Sequence, residues 1–292
     1  MAQRTFMRWI KGLIPTVIIL LGALLLGCIC YISIWGVPSF VVQRVEKALL
    51  EKGIPSHIET LKVTLWPRAV VTLKNVELLD PEAMPEIRRP IVLLHEADVA
   101  LNWKKLIEGQ VVPERVNVKG MNVTLPVDAG IPEKVFSVTG VNAELNLGRP
   151  GMVDIVKADA VVQGIRVTAQ GAFPIGQDDS GDFTLTAQDM GAVREQLNQV
   201  LNYMDRVKWP DASPPRLIVN LSDDPKGGVR IGMDLQAPFL RYGKIMVRDF
   251  LFNGDYADSV IMAKRFTMRD AETAGFVSLS LQADLKKRTL IW

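Results

Sequence analysis

From residue 57 onward, apolar and polar residues alternate with a period of two through most of the chain, the pattern of strands with one buried face. Leu61, Val63 and Leu65 share one parity, as do Val71 and Leu73, then Val99, Leu101 and Trp103, then Val116 and Val118, then Val123 and Leu125. The pattern returns at Val141, Ala143, Leu145 and Leu147, and at Ile165, Val167 and Ala169. Later runs are Leu217, Val219 and Leu221, then Val229, Ile231, Met233 and Leu235, and finally Val277, Leu279 and Leu281. Turn residues at Trp66-Pro67-Arg68, at Lys119-Gly120 and within 148–151, 178–181 and 223–228 separate the runs. Over the whole chain the count is roughly 14 strands, mostly antiparallel because the connections are too short for crossover helices.

Three segments break this rhythm. Residues 13–35 form an apolar run with no strongly ionising side chain, close to the ~20 residues a helix needs to span a bilayer. Arg4, Arg8 and Lys11 precede it without an acid, which predicts a cytoplasmic tail over 1–12 and export of everything after 35. Two other readings compete with a retained helix: a cleaved signal peptide, and a lipoprotein signal ending at Leu25-Leu26-Gly27-Cys28. The length of the run, the missing small-x-small site and the apolar Ile29 to Ile32 continuation favour the retained anchor. Next, residues 36–53 predict a juxtamembrane amphipathic helix with Ser39 as N-cap, an apolar stripe of Phe40, Val41, Val45, Ala48 and Leu49, and closure at Gly53. It either caps the sheet edge or lies at the membrane surface. A second helix is predicted from about Asp189, as N-cap, to Val207, with Val193, Leu197, Val200, Leu201 and Met204 on one stripe. It packs on the sheet or acts as a lid, and the proline-rich segment 209–215 ends it. The resulting domain plan is sheet over 54–188, helix and linker over 189–215, and continuing sheet over 216–292.

A sheet with one greasy side must cover it with a second sheet, by closure into a barrel, or with a ligand. Two short helices are too narrow to cover so many strands. A sandwich is one expectation; the other is an elongated, curved, mostly antiparallel β-groove that binds acyl chains. The fold class expected is therefore mainly β, with an N-terminal transmembrane helix, that groove and two short amphipathic helices. Candidate groove residues are Leu61, Val63, Leu65, Val71, Leu73, Val99, Leu101, Val116, Val118, Val123 and Leu125.

Charge and rare residues narrow the chemistry. The chain has 34 Lys+Arg and 32 Asp+Glu, so the part after the anchor, without its three leading cations, is near neutral at 31 against 32. No long basic cluster suggests nucleic acid. Cys28 and Cys30 are the only cysteines and lie in the apolar run, so the exported part holds no disulfide or cysteine-based metal site. His57 and His95 are the only histidines and fall on strand patterns. The acidic stretches at 178–182 and 223–224 read as turns, and Lys286-Lys287-Arg288 as a solvated turn. No nucleotide-binding or hydrolase motif is present. The expectation is a non-enzyme without cofactor or metal.

The segment GIPSHIETLKVTLWPRAVVTLKNVELLDP, ending in Asn75-Val76-Glu77-Leu78-Leu79-Asp80-Pro81, follows the anchor, Gly36-Val37-Pro38 and a short helix. In this it resembles the N-terminal segment of AsmA-like proteins. PIVLLHEADVALNWKKLIEGQVVPERVNVKGMNVTLPV continues the likeness, which covers about residues 1–127. The resemblance implies a bacterial inner-membrane, single-pass protein with a periplasmic β-groove of the bridge-like lipid transfer class. Such a protein would assist phospholipid transport toward the outer membrane and support envelope integrity. Family members usually have a longer exported region, whereas this chain stops in what reads as a strand. A short relative, a truncated sequence, and an edge that pairs with another envelope protein are the open alternatives. The length and plan also resemble type II secretion N-like proteins, so the rival expectation is a non-enzymatic scaffold in secretion or outer-membrane protein assembly.

Overall fold

The computed structural model describes residues 37–51, 53–80, 90–127, 134–174, 187–224, 228–273, 275–284 and 289–291. The apolar run 13–35, the acidic stretch 178–182 and the basic run 286–288 lie outside the described residues. Among the described residues no helix is long and apolar enough to cross a membrane.

The chain is mainly β. After α1 (Ser39–Glu51) come β1 (Ser56–Thr64), β2 (Val70–Leu79), β3 (Pro90–Leu101), the one-turn α2 (Trp103–Ile107), β4 (Pro113–Pro126), β5 (Val135–Asn146), β6 (Met152–Val162) and β7 (Ile165–Pro174). Then follow α3 (Ala187–Met204), β8 (Val207–Lys208), β9 (Arg216–Asp223), β10 (Val229–Tyr242), β11 (Ile245–Ala257), β12 (Val260–Asp270), β13 (Phe276–Asp284) and β14 (Thr289–Ile291). All fourteen strands belong to one curved sheet in sequence order, with β8 alone off the path, pairing with the end of β10. The sandwich expected as one solution is absent from the described residues: no second sheet is packed on the first, and no pairing joins β1 to β14.

Each neighbouring pair is antiparallel except β7 and β9, where Arg166 to Gly171 run parallel to Arg216 to Leu221. That exception has a simple origin. Parallel strands need a long crossover, and α3 supplies it at the one place where the strand alternation lapses. The sequence-based limit on crossover helices therefore fails here.

Several predicted boundaries move. Lys119-Gly120 is no turn; it lies inside β4, because Gly120 takes φ +65° and lets one strand pass through a local kink. The runs Val116/Val118 and Val123/Leu125 are thus one strand. Trp103 is not the third apolar residue of a strand but the first of α2, since the Asn102 side chain accepts from the Lys105 N–H at 3.1 Å and caps a helix there. Leu65 falls just beyond β1. In α1 the first helical bond is accepted by Pro38 O, from the Val41 N–H at 2.9 Å, so Ser39 sits inside the helix and is not its cap. The predicted stop at Gly53 is found: it takes φ +79° and its N–H donates to Leu50 O at 2.9 Å. Helix α3 begins at Ala187, two residues before Asp189, and ends at Met204, because Val207 pairs with Tyr242 as part of β8.

The buried core is thin. One cluster joins Val42 of α1 to Ile58 and Val76, with Val45, Leu49, Leu61, Leu73, Leu78 and Leu94 around it. A second joins Ile91 and Leu125 with Leu78, Val92, Phe136 and Leu197 of α3. Elsewhere the sheet's apolar side chains are mostly half-buried, and among the described residues the largest fully enclosed side chain is Pro215.

Candidate functional site

Cross-strand partners project from the same face of a sheet, so the register shows how the apolar positions join. Beginning at Val63, the paired residues are Val71, Val99, Val116, Leu145 and Ile155, then Gly171, Leu221, Ile231, Tyr256, Ile261 and Ala283. This row crosses from β1 to β13 without a single ionisable group other than the Tyr256 phenol. A second row beside it begins Leu61, Leu73, Ala97, Val118, Ala143, Ala158 and Ala169, and ends Val219, Met233, Gly254, Ala263 and Leu281. At ~4.8 Å per strand, the twelve strands span about 55 Å.

The other face is polar. Lys62, Thr72, Asp98, Asn117, Glu144 and Lys157 form one of its rows. Glu96 sits between Lys74 at 2.9 Å and Lys119 at 2.5 Å. Their ammonium groups, Lys119 first, bring its carboxyl down from 4.5 to about 2, and Glu96 in turn raises the Lys119 pKa. The Thr72 hydroxyl donates to Asp98 at 2.7 Å. Such a ladder favours water on this side and leaves the apolar rows for the other.

Keeping both halves of each long strand apolar on one face requires a change of phase. Leu73 and Val76 are three residues apart and would point oppositely in a regular strand, yet Val76 shares a buried cluster with Val42 and Ile58 and Leu73 packs against that same cluster. Asn75 between them has φ +50° and turns the chain over. Its side chain donates to Glu59 at 2.6 Å and meets His95 Nδ1 at 3.2 Å on the polar face. Gly120 makes the same switch between Val118 and Met121, and Gly140 (φ +63°) sits beside it in β5. Asn142 and Asn122 accept from the N–H groups of Gly120 at 3.1 Å and Gly140 at 2.8 Å. The seam therefore carries the apolar face onward where a regular strand would bury its charged residues.

The predicted groove residues divide. Leu61 and Leu73 are packed beneath α1, and Leu125 is buried beneath Leu197. Val63, Val71, Val99, Val116 and Val118 are half-buried and belong to neither helix cluster. Val123 pairs with Val92 and Val138 at the margin of α3's cluster. Leu101 lines a cavity of about 440 Å³ at the strand end with Ala69, Trp103 and Arg115. Leu65 lies outside the strands. The aromatic part of the same face was not anticipated: Phe252 pairs with Leu235 and Phe266, and Phe250 meets Phe266 edge-on at 5.4 Å. Phe250-Leu251-Phe252 is a continuous apolar run, which hides a period of two.

Both histidines are tied to local polar partners. His57 Nδ1 is 3.2 Å from Glu46, whose carboxylate also accepts from the Ile58 N–H at 2.7 Å, and His95 faces Asn75. Among the described residues no three His, Cys, Asp or Glu converge as a metal site.

Comparison of the chain with protein-family models, with curated proteins and with solved structures found no match.

Proposed function

We propose that this protein is a membrane-anchored, AsmA-like lipid carrier that holds acyl chains along the apolar face of its sheet and helps move phospholipid across a bacterial envelope, from the inner membrane toward the outer. The observation that carries the reading is the unbroken apolar row from Val63 to Ala283, which lacks a second sheet among the described residues. Exposed apolar area costs about 25 cal/mol per Å², so a face of this length favours a hydrophobic occupant. A flexible acyl chain suits a long, featureless, weakly polar track, because such a track offers area and no directional bonds. No catalytic step is required.

The test uses the full-length chain in cells, with a photo-reactive phenylalanine analogue at Val99 or Val118 and, as controls, at Asp98 or Asn117. Phospholipid adducts at the first pair and none at the second are expected. Adducts only to protein at Val99 and Val118 would replace the carrier by a scaffold whose apolar face is a protein interface.

A further inference from the structure

The end of the sheet that carries the β1–β2 loop and α2 exposes apolar side chains that take no part in the rows. Trp66 is 85% exposed, Ile107 73%, Val111 71% and Trp103 46%. Trp103 and Ile107 are four residues apart and share one side of α2. The two segments form one tip: the Leu101 N–H donates to Ala69 O at 2.8 Å, the Asn102 N–H to Val112 O at 2.8 Å, and Pro67, Arg68 and Trp103 line the same cavity.

Cations accompany them. Residues 66–68 and 102–115 contain Arg68, Lys104, Lys105 and Arg115 against Glu108 and Glu114. Lys105 pairs with Glu108 at 2.9 Å and Arg115 with Glu144 at 3.6 Å, while Arg68 and Lys104 have no ion-pair partner among the described residues. Counting Glu144, four cations face three carboxylates, and exposed indoles and branched aliphatics beside this net positive charge match the interface of an anionic bilayer, where rings sit at headgroup depth and basic side chains reach phosphate.

The chain's path agrees. The Val37 N–H donates to Leu61 O at 2.8 Å, and α1 runs from there away from the tip, returning at Ser56. Val37, two residues after the apolar run 13–35 in sequence, therefore sits at the level of Leu61. From there to Thr64, the end of β1, the strand rises about 10 Å toward the tip.

We propose that this tip docks on the anionic phospholipid bilayer that holds residues 13–35, setting the Val63 end of the apolar row against the headgroup layer. The proposal rests on the membrane-anchored reading above. The test uses the full chain with Cys28 and Cys30 changed to serine. Single cysteines, Ile107→Cys, Val111→Cys, Val99→Cys or Glu272→Cys, carry an environment-sensitive fluorophore. The protein is reconstituted into phosphatidylethanolamine vesicles containing phosphatidylglycerol and doxyl-labelled lipid.

Quenching at positions 107 and 111, and none at 272 on the far β12–β13 turn, is expected. Replacing phosphatidylglycerol by phosphatidylcholine lowers the ratio of docked to undocked protein, and Arg68→Gln or Lys104→Gln, each removing one positive charge, lowers that ratio by about fivefold. Unquenched 107 and 111 in protein that floats with the vesicles overturns the docking. Failure to float overturns the anchored reading and the docking with it. Quenching at Val99 with an unquenched tip removes the docking and leaves the carrier; a quenched tip with unquenched Val99 does the reverse.

Discussion

Asn75 and Gly120 hold left-handed backbone in the middle of long strands, at φ +50° and +65°, and the phase of the apolar face depends on them. Asn tolerates that region through its short polar side chain, while a β-branched residue costs about 1–2 kcal/mol there. Asn75→Val is expected to lose about that much in urea unfolding, and Asn75→Gly to stay within about 0.5 kcal/mol of the parent. Gly171 is constrained differently: a Cβ there would lie 1.9 Å from Leu221 O of the parallel partner strand, so Gly171→Ala should be the most damaging alanine in β7. Glu96 yields a pH signature. Its carboxyl is depressed from 4.5 to about 2, so its contribution to stability is fully present above the unfolded value and fades as pH falls from about 4.5 through about 2. The urea midpoints of the parent and Glu96→Gln should differ at neutral pH and converge toward pH 2; a gap that persists at the acid end would place the effect elsewhere. Little of this was legible in the sequence. Gly120 reads as a turn glycine because its φ is invisible, and Asn75 carries no sign of a kink until its neighbours' packing is known.

At the scale of elements, both long helices cover parts of the apolar face and leave the middle of the row open. The α3 helix is held by Arg194, whose guanidinium lies 3.0 Å from the buried Asp80 carboxylate, and by Asn202, which accepts from Lys134 at 2.7 Å. Removing one partner of a mostly buried ion pair costs about 3–5 kcal/mol. Asp80→Asn should therefore raise amide exchange through 194–204 while β4 and β5 keep their protection. Uniform acceleration would show α3 to be integral to the sheet's stability. Helical periodicity at 197, 201 and 204 was enough to find α3, and Gly53 enough to end α1. The one-turn α2 was missed because Val99, Leu101 and Trp103 satisfy a strand's parity, while its cause, the Asn102 cap, is a single side-chain bond. The parallel pairing of β7 and β9 was missed because nothing local distinguishes it from a long hairpin.

At the scale of the molecule, alternation marks a chain built of strands, and the short connections give the antiparallel order everywhere except between β7 and β9. What alternation does not reveal is whether the apolar side is closed. The choice between sandwich and open sheet depends on long-range geometry, namely thirteen strands joined in sequence, with β8 beside β10, and no second layer in the described residues. The lipid reading makes a prediction that separates an open face from a core. Val118→Asp should leave the fold intact and lower lipid adducts formed at Val99, whereas an uncompensated carboxylate in a sealed core would unfold the chain.

The central claim is tested most directly by scanning the photo-reactive residue along β4 and then across the sheet in full-length protein in cells. The account predicts phospholipid adducts at Val116, Val118, Met121 and Val123 and none at Asn117 or Lys119, the period of two slipping once at Gly120. It also predicts adducts at Leu145, Leu221, Ile231 and Ile261 along the row. Adducts confined to a few neighbouring strands, or equal on both faces, would contradict a continuous lipid track.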